Sequence, residues 1–165
     1  MSFDSPEKIT FVGVGAIGLP MAVQLHQAGF SVTAVDQFEG SRQRAIDAGL
    51  TAEAAPDSAS SADVVIVMVA TPDQLSAAAI AEGGLLDRMQ TGATLIVMST
   101  VGPESVVQVA EDAADKGIRV LDVPVTGGVA GARRGALTLF CSGEKSASAG
   151  AAPMLSTFGK IVDAG

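Results

Sequence analysis

Short apolar runs and polar, helix-compatible stretches take turns along the whole chain. Residues 9–12 and 31–35 read as strands, and between them Gly18 opens a stretch of helical character. A charged segment at 41–48 predicts a helix closed by Gly49, and 57–62 is a polar approach to the next strand. Residues 64–69 do not alternate, so they predict a strand buried on both faces. Thr71, Pro72 and Asp73 then start a helix through Ala81, and Gly83 and Gly84 mark a turn. Residues 94–98 form another β-branched run, followed after Pro103 by a helix reaching Lys116 with Gly117 beyond it. Residues 119–121 predict a short strand ending on Asp122, whereas 123–135 hold too many glycines for a regular element. Residues 136–141 return to strand, 144–156 read as a helix interrupted at Pro153, and 160–163 as a last strand. Such alternation predicts an α/β fold, a doubly wound, mostly parallel sheet with helices on both faces. Right-handed crossovers bring the C-terminal strand ends to one rim, where such sheets bind ligands. Residues 13–18, Asp36, 70–73, 99–102 and 122–128 are predicted to share that rim.

The first of these segments carries a specific chemistry. Gly13, Gly15 and Gly18 are spaced GxGxxG, directly after a strand and at the opening of a helix, and Asp36 ends the second strand. In that context the spacing is a dinucleotide-binding fingerprint and the fold is Rossmann-type. Gly13 turns the chain sharply off the strand, Gly15 clears the way for a pyrophosphate, and Gly18 lets helix and sheet pack closely. The helix N-terminus offers free N–H groups and a positive dipole end to the phosphates. Asp36 would accept from the ribose hydroxyls and repel a 2′-phosphate, which favours NAD over NADP. The predicted cofactor set from these segments is Gly13, Gly15, Ala16, Ile17, Gly18, Asp36 and Gln37, with Thr71 from a later rim segment. The competing reading is a tight packing turn beside an incidental acid.

Composition narrows the function classes. The 165 residues suit one domain with its own core, 48% of them hydrophobic and 17% charged, with no Trp or Tyr. A net charge of −8 without a basic stripe argues against a nucleic-acid partner. Cys141 stands alone, and residues 1–8 are polar and acidic, unlike a secretory leader, so a reducing cytoplasm is expected. Apolar runs such as 64–70 are far shorter than the roughly 20 residues of a membrane helix. No metal site is predicted: Glu111, Asp112 and Asp115 share one helix without a histidine or cysteine cluster and read as a solvated face. His26 reads as a surface residue, and Cys141 as a small buried hydrophobe.

The second glycine cluster sharpens the picture. Asp122, Val123, Pro124, Val125, Thr126, Gly127 and Gly128, then Gly131, Ala132, Gly135, Ala136, Leu137 and Thr138, resemble the substrate signature of the β-hydroxyacid dehydrogenases. These include 3-hydroxyisobutyrate, tartronate semialdehyde and 6-phosphogluconate dehydrogenases. Residues 13–22 resemble the same family's cofactor signature, and Ser99 and Thr100 its Ser-Thr pair near the nicotinamide. The resemblance implies hydride transfer between a nicotinamide cofactor and a small β-hydroxyacid, with Thr126, Gly127 and Gly128 holding the substrate carboxylate as a main-chain nest. It adds Thr100 to the cofactor set. Thr126 replaces the more usual serine, and Val97 stands where many relatives have an acid. Arg42 and Arg44 follow Asp36 closely enough to admit NADP as well.

The same resemblance implies a catalytic lysine at the start of a following helical domain, beyond Gly165. Lys145 and Lys160 lie in no matching motif, so no catalytic residue is assigned in this chain. Residues 1–165 are predicted to be one dinucleotide-binding domain that lacks the helical catalytic and dimerisation domain and is inactive alone, proton transfer being commonly worth 10²–10⁴ in rate. The full-length protein is expected to be a homo-oligomer acting on a small hydroxyacid, with no nucleic-acid or membrane partner. Two rivals stand beside this: an imine reductase-like enzyme, which usually lacks the 122–128 signature, and a non-catalytic NAD(H)-sensing module. Arg133 and Arg134 would attract an anionic substrate or simply lie exposed.

Overall fold

A computed structural model describes residues 8–165. Residues 1–7, on which the reading of a leader-free start rests, lie outside the described residues.

The parallel half of the sheet is made of β1 (Lys8–Val12), β2 (Ser31–Val35), β3 (Thr51–Glu53), β4 (Val64–Val67), β5 (Thr94–Val97) and β6 (Arg119–Asp122). Beyond it lie β7 (Val125–Thr126), β8 (Leu137–Gly143) and β9 (Gly159–Asp163). Among the described residues these form one nine-stranded sheet in the order β3-β2-β1-β4-β5-β6-β8-β7, with β9 paired to β8. The pairs from β3 across to β6 are parallel, β8 is antiparallel to β6 and β7, and β9 is parallel to β8. Strand order reverses between β1 and β4, the switch point at which sheets of this kind bind ligands.

Both faces are covered, and for that reason the strands do not alternate in hydrophobicity. Val64 and Ile66 of β4 belong to one core cluster, with α1 (Gly18–Gln27), α2 (Glu39–Asp47) and α7 (Lys145–Leu155). Val65 and Val67 belong to the other, with α3 (Pro72–Ala79), α4 (Leu85–Arg88) and α5 (Pro103–Ala114). Side chains of one strand point alternately to opposite faces, so a strand sandwiched between helix layers is apolar throughout.

Register sets the working edge. Glu53, Val35, Val12, Val67, Val97 and Asp122 are aligned partners across adjacent strands, so six parallel strands end in one row. The segments beginning at Gly13, Asp36, Ala54, Met68, Met98 and Val123 all leave from that row.

The structure corrects the sequence reading in several places. Residues 123–135 contain β7 and a helix, α6 (Gly128–Arg134). Gly127 precedes this helix at φ +130°, Gly128 and Gly131 lie within it, and Gly135 ends it in the left-handed region at φ +62°. Helix α7 runs through Pro153 without interruption, the proline lying exposed within the last turn and Ser156 N–H still donating to Ala152 O at 2.9 Å. Strand β3, helix α4 and a 3-10 turn at Asp57–Ser60 were not predicted. Helix α3 ends at Ala79, two residues before the predicted stop.

Candidate functional site

The turn from β1 into α1 gives each fingerprint glycine a separate physical duty. Gly13 has φ +95°, and a Cβ there would lie 2.8 Å from the Met68 carbonyl carbon and closer still to its oxygen. A Cβ on Gly18 would lie 3.2 Å from the Phe11 ring and overlap the Gly13 carbonyl. Gly15 differs from both: a Cβ there meets nothing within 4 Å. Two of the glycines serve packing, and the third keeps a space clear. Among the described residues none accepts from the N–H groups of Gly15, Ala16 or Ile17, which leaves main-chain donors for an anion at the mouth of α1.

Asp36 joins this turn to the end of β2. Its Oδ2 accepts from Val14 N–H at 3.1 Å and its Oδ1 from Phe38 N–H at 3.0 Å. Arg42 Nη1 donates to the carbonyls of Asp36 and Gln37, both at 2.9 Å, and so braces the loop from beneath. Arg44 donates to Ser41 Oγ at 3.2 Å.

A cleft of about 540 Å³ opens over these residues. Gly13, Gly15, Asp36 and Gln37 line it, together with Phe38, Ala54, Pro56, Gln74, Ala78 and Glu82. Ala16 and Ile17 follow in the turn, and Gly18 is buried at the start of α1. Thr71 caps α3 by accepting from Gln74 N–H at 3.1 Å, next to Ala70, whose N–H donates to Gln74 Oε1 at 2.8 Å. Thr100 follows β5, Thr126 ends β7, and Gly127 and Gly128 lead into α6; all are exposed, and none is among the residues lining this cleft. The far wall, from Ala54 to Pro56 and along α3 to Leu85, escaped the sequence reading, because no local pattern says which loop folds across a sheet edge. A larger cavity of about 630 Å³ lies at the opposite end of the strands, away from every fingerprint residue.

Ser99 is structural in this arrangement. It is 2% exposed, its Oγ accepts from Val69 N–H at 2.8 Å, and it faces Val67 O at 3.4 Å, so it ties the ends of β4 and β5 together. His26, Arg133 and Arg134 are exposed, and Cys141 is buried in the core beside α7. Burial, with the nearby carboxylates of Asp163 and Asp122, pushes the Cys141 thiol up and keeps it protonated.

Asp122 ends β6 half-buried, and among the described residues nothing donates to its carboxylate. Burial raises its carboxyl above the ordinary 3.8. The folded chain then holds a proton that the unfolded chain has released, so this group's contribution to stability is full below 3.8 and is lost as pH rises through the raised value. Asp122→Asn, neutral at every pH, is expected to raise the melting temperature near pH 7 and to leave it unchanged near pH 3, as thermal unfolding at the two values would read.

Residues 8–165 match the family model described as the NAD binding domain of 6-phosphogluconate dehydrogenase. The chain is 37% identical over 155 residues to 3-hydroxyisobutyrate dehydrogenase of Pseudomonas aeruginosa, covering 93% of this chain and 52% of that protein. It is 32% identical over 157 residues to the NAD-dependent L-serine dehydrogenase of the same organism, covering 94% of this chain and 53% of that one. The solved structure of Mycobacterium tuberculosis 3-hydroxyisobutyrate dehydrogenase with L-serine superposes with a TM-score of 0.90 at 28% identity, over 95% of this chain and 54% of that one. The chain thus spans about half the length of the relatives it matches. Among the described residues no helix is long and apolar enough to cross a membrane.

Proposed function

The chain belongs to the family of 6-phosphogluconate dehydrogenase NAD binding domains, and on that premise we propose that it is the coenzyme-binding half of an oxidoreductase that moves hydride between NAD and a small β-hydroxyacid. The observation carrying this reading is the open space over Gly15, edged by Asp36 and by amides of the turn that donate to none of the described residues. The diphosphate would sit against Gly13, Gly15, Ala16, Ile17 and Gly18, the adenosine ribose at Asp36 and Gln37, and the nicotinamide end toward Thr71 and Thr100. Thr126, Gly127 and Gly128 would hold the substrate carboxylate. When bound, the nicotinamide supplies the hydride acceptor; the residues of this chain would orient the coenzyme and donate to its diphosphate. The general acid/base is a lysine of a helical second half, and without it this domain binds coenzyme but does not turn over.

NAD is the preferred coenzyme. Asp36 places a carboxylate where a 2′-phosphate would need a cation, and the nearby Arg42 is committed to the carbonyls of Asp36 and Gln37. Calorimetric titration is expected to show NAD bound more tightly than NADP. Asp36→Asn is expected to weaken NAD roughly 10-fold, the scale of a lost charge-assisted hydrogen bond, without weakening NADP. Equal wild-type affinities for the two coenzymes would refute the preference. The substrate class is tested separately, with a panel of small hydroxyacids on the full-length protein.

A further inference from the structure

We infer that Phe38 is the platform on which the purine of the bound dinucleotide stacks, an inference that rests on the coenzyme reading above. The juxtaposition is set by Asp36. Its two carboxylate oxygens accept from Val14 on one side and Phe38 on the other, so the carboxylate stands between the glycine turn and Phe38. In a dinucleotide the ribose stands in the same way between diphosphate and purine.

The side chain itself is out of place for a core aromatic. Phe11 and Phe158 are fully buried, whereas Phe38 is 65% exposed on the cleft wall, the one aromatic among the described residues lining it. Its backbone is nevertheless fixed. The N–H donates to Asp36, the carbonyl accepts from Arg42 N–H at 3.1 Å, and Arg42 holds the two preceding carbonyls. An exposed ring on a braced loop loses little conformational freedom when a second ring covers it. Ala54, Pro56 and Ala78 add apolar surface to the same cleft. Base stacking on an aromatic face uses the π-face that every base has, and an exposed ring on a cleft wall offers that face.

Because the ring is exposed, its replacement should leave stability nearly unchanged. Phe38→Ala is expected to weaken NAD and AMP by a common factor of about 10, measured by calorimetry. Phe38→Trp gives a further readout, since the natural chain has no tryptophan. Its emission is expected to fall on titration with AMP and to stay constant with ribose 5-phosphate, while NAD affinity returns to near wild type. If wild type binds NAD and AMP but Phe38→Ala keeps both affinities within about twofold, the platform is overturned while the coenzyme reading stands. If AMP-saturated Phe38→Trp shows unchanged emission, the platform is overturned as well. If wild type binds neither NAD nor AMP, both readings fall together.

Discussion

Gly15→Ala is expected to leave the domain folded and to deprive it of its coenzyme. The folded state has room for the methyl, because a Cβ at this position meets nothing within 4 Å and the residue is not in the positive-φ region. Exposed substitutions of this kind usually change stability by no more than about 0.5 kcal/mol, which in a domain of this size is roughly 2 °C in melting temperature. The bound state does not have that room. In the proposed pose the diphosphate lies against the bare main chain to reach the amides of Gly15, Ala16 and Ile17, and the methyl would occupy that contact. Forcing an extra carbon into a close-packed contact costs about 1–3 kcal/mol, roughly 5- to 150-fold in Kd. Calorimetry with NAD, paired with thermal unfolding of the same sample, reads both halves of the expectation. A variant that binds NAD like wild type would show that the diphosphate lies elsewhere.

The contrast between Gly15 and its neighbours also shows what a linear sequence carries. The GxGxxG spacing announced three duties, and the coordinates assign packing to Gly13 and Gly18 and open space to Gly15. Strands such as β4 were legible because four consecutive apolar residues between turn signals suit a strand covered on both faces. Strand β3 was not, because Thr51–Glu53 is short, polar and half exposed, and becomes a strand through its pairing with β2. The helix Gly128–Arg134 was hidden by glycines, of which Gly127, Gly128 and Gly135 end up at its boundaries and Gly131 is buried inside it. A glycine's role depends on the backbone angle it adopts, and that angle is set by tertiary context. The cleft was half legible for a similar reason. Gly13, Gly15, Asp36 and Gln37 belong to one local strand-helix-strand unit, whereas Ala54, Pro56, Gln74 and Glu82 reach the cleft through long-range packing.

Gly13→Ala is expected to damage the fold itself, in contrast to Gly15→Ala. Gly13 sits at φ +95°, where an L side chain is strained by about 1–3 kcal/mol. Its Cβ would also overlap the Met68 carbonyl, with the carbonyl carbon only 2.8 Å away. That carbonyl belongs to backbone at the end of β4, and it cannot swing aside as a flexible side chain would. Met68 N–H donates to Val12 O at 2.8 Å, and Gly13 N–H donates to Val35 O at 2.9 Å, so shifting either segment disturbs the row of strand ends at the switch point. Overpacking of this kind adds about 1–3 kcal/mol or more. Together the two effects amount to about 2–6 kcal/mol, a large share of the roughly 5–15 kcal/mol that holds a domain folded. The melting temperature should then fall by roughly 4–24 °C. Loss of NAD binding would follow from unfolding, and it would be restored under conditions in which the variant is folded, such as low temperature with a stabilising osmolyte. Thermal unfolding of the two alanine variants side by side decides the matter. If Gly13→Ala melts with wild type, the close approach of β1 and β4 at this turn is not as described.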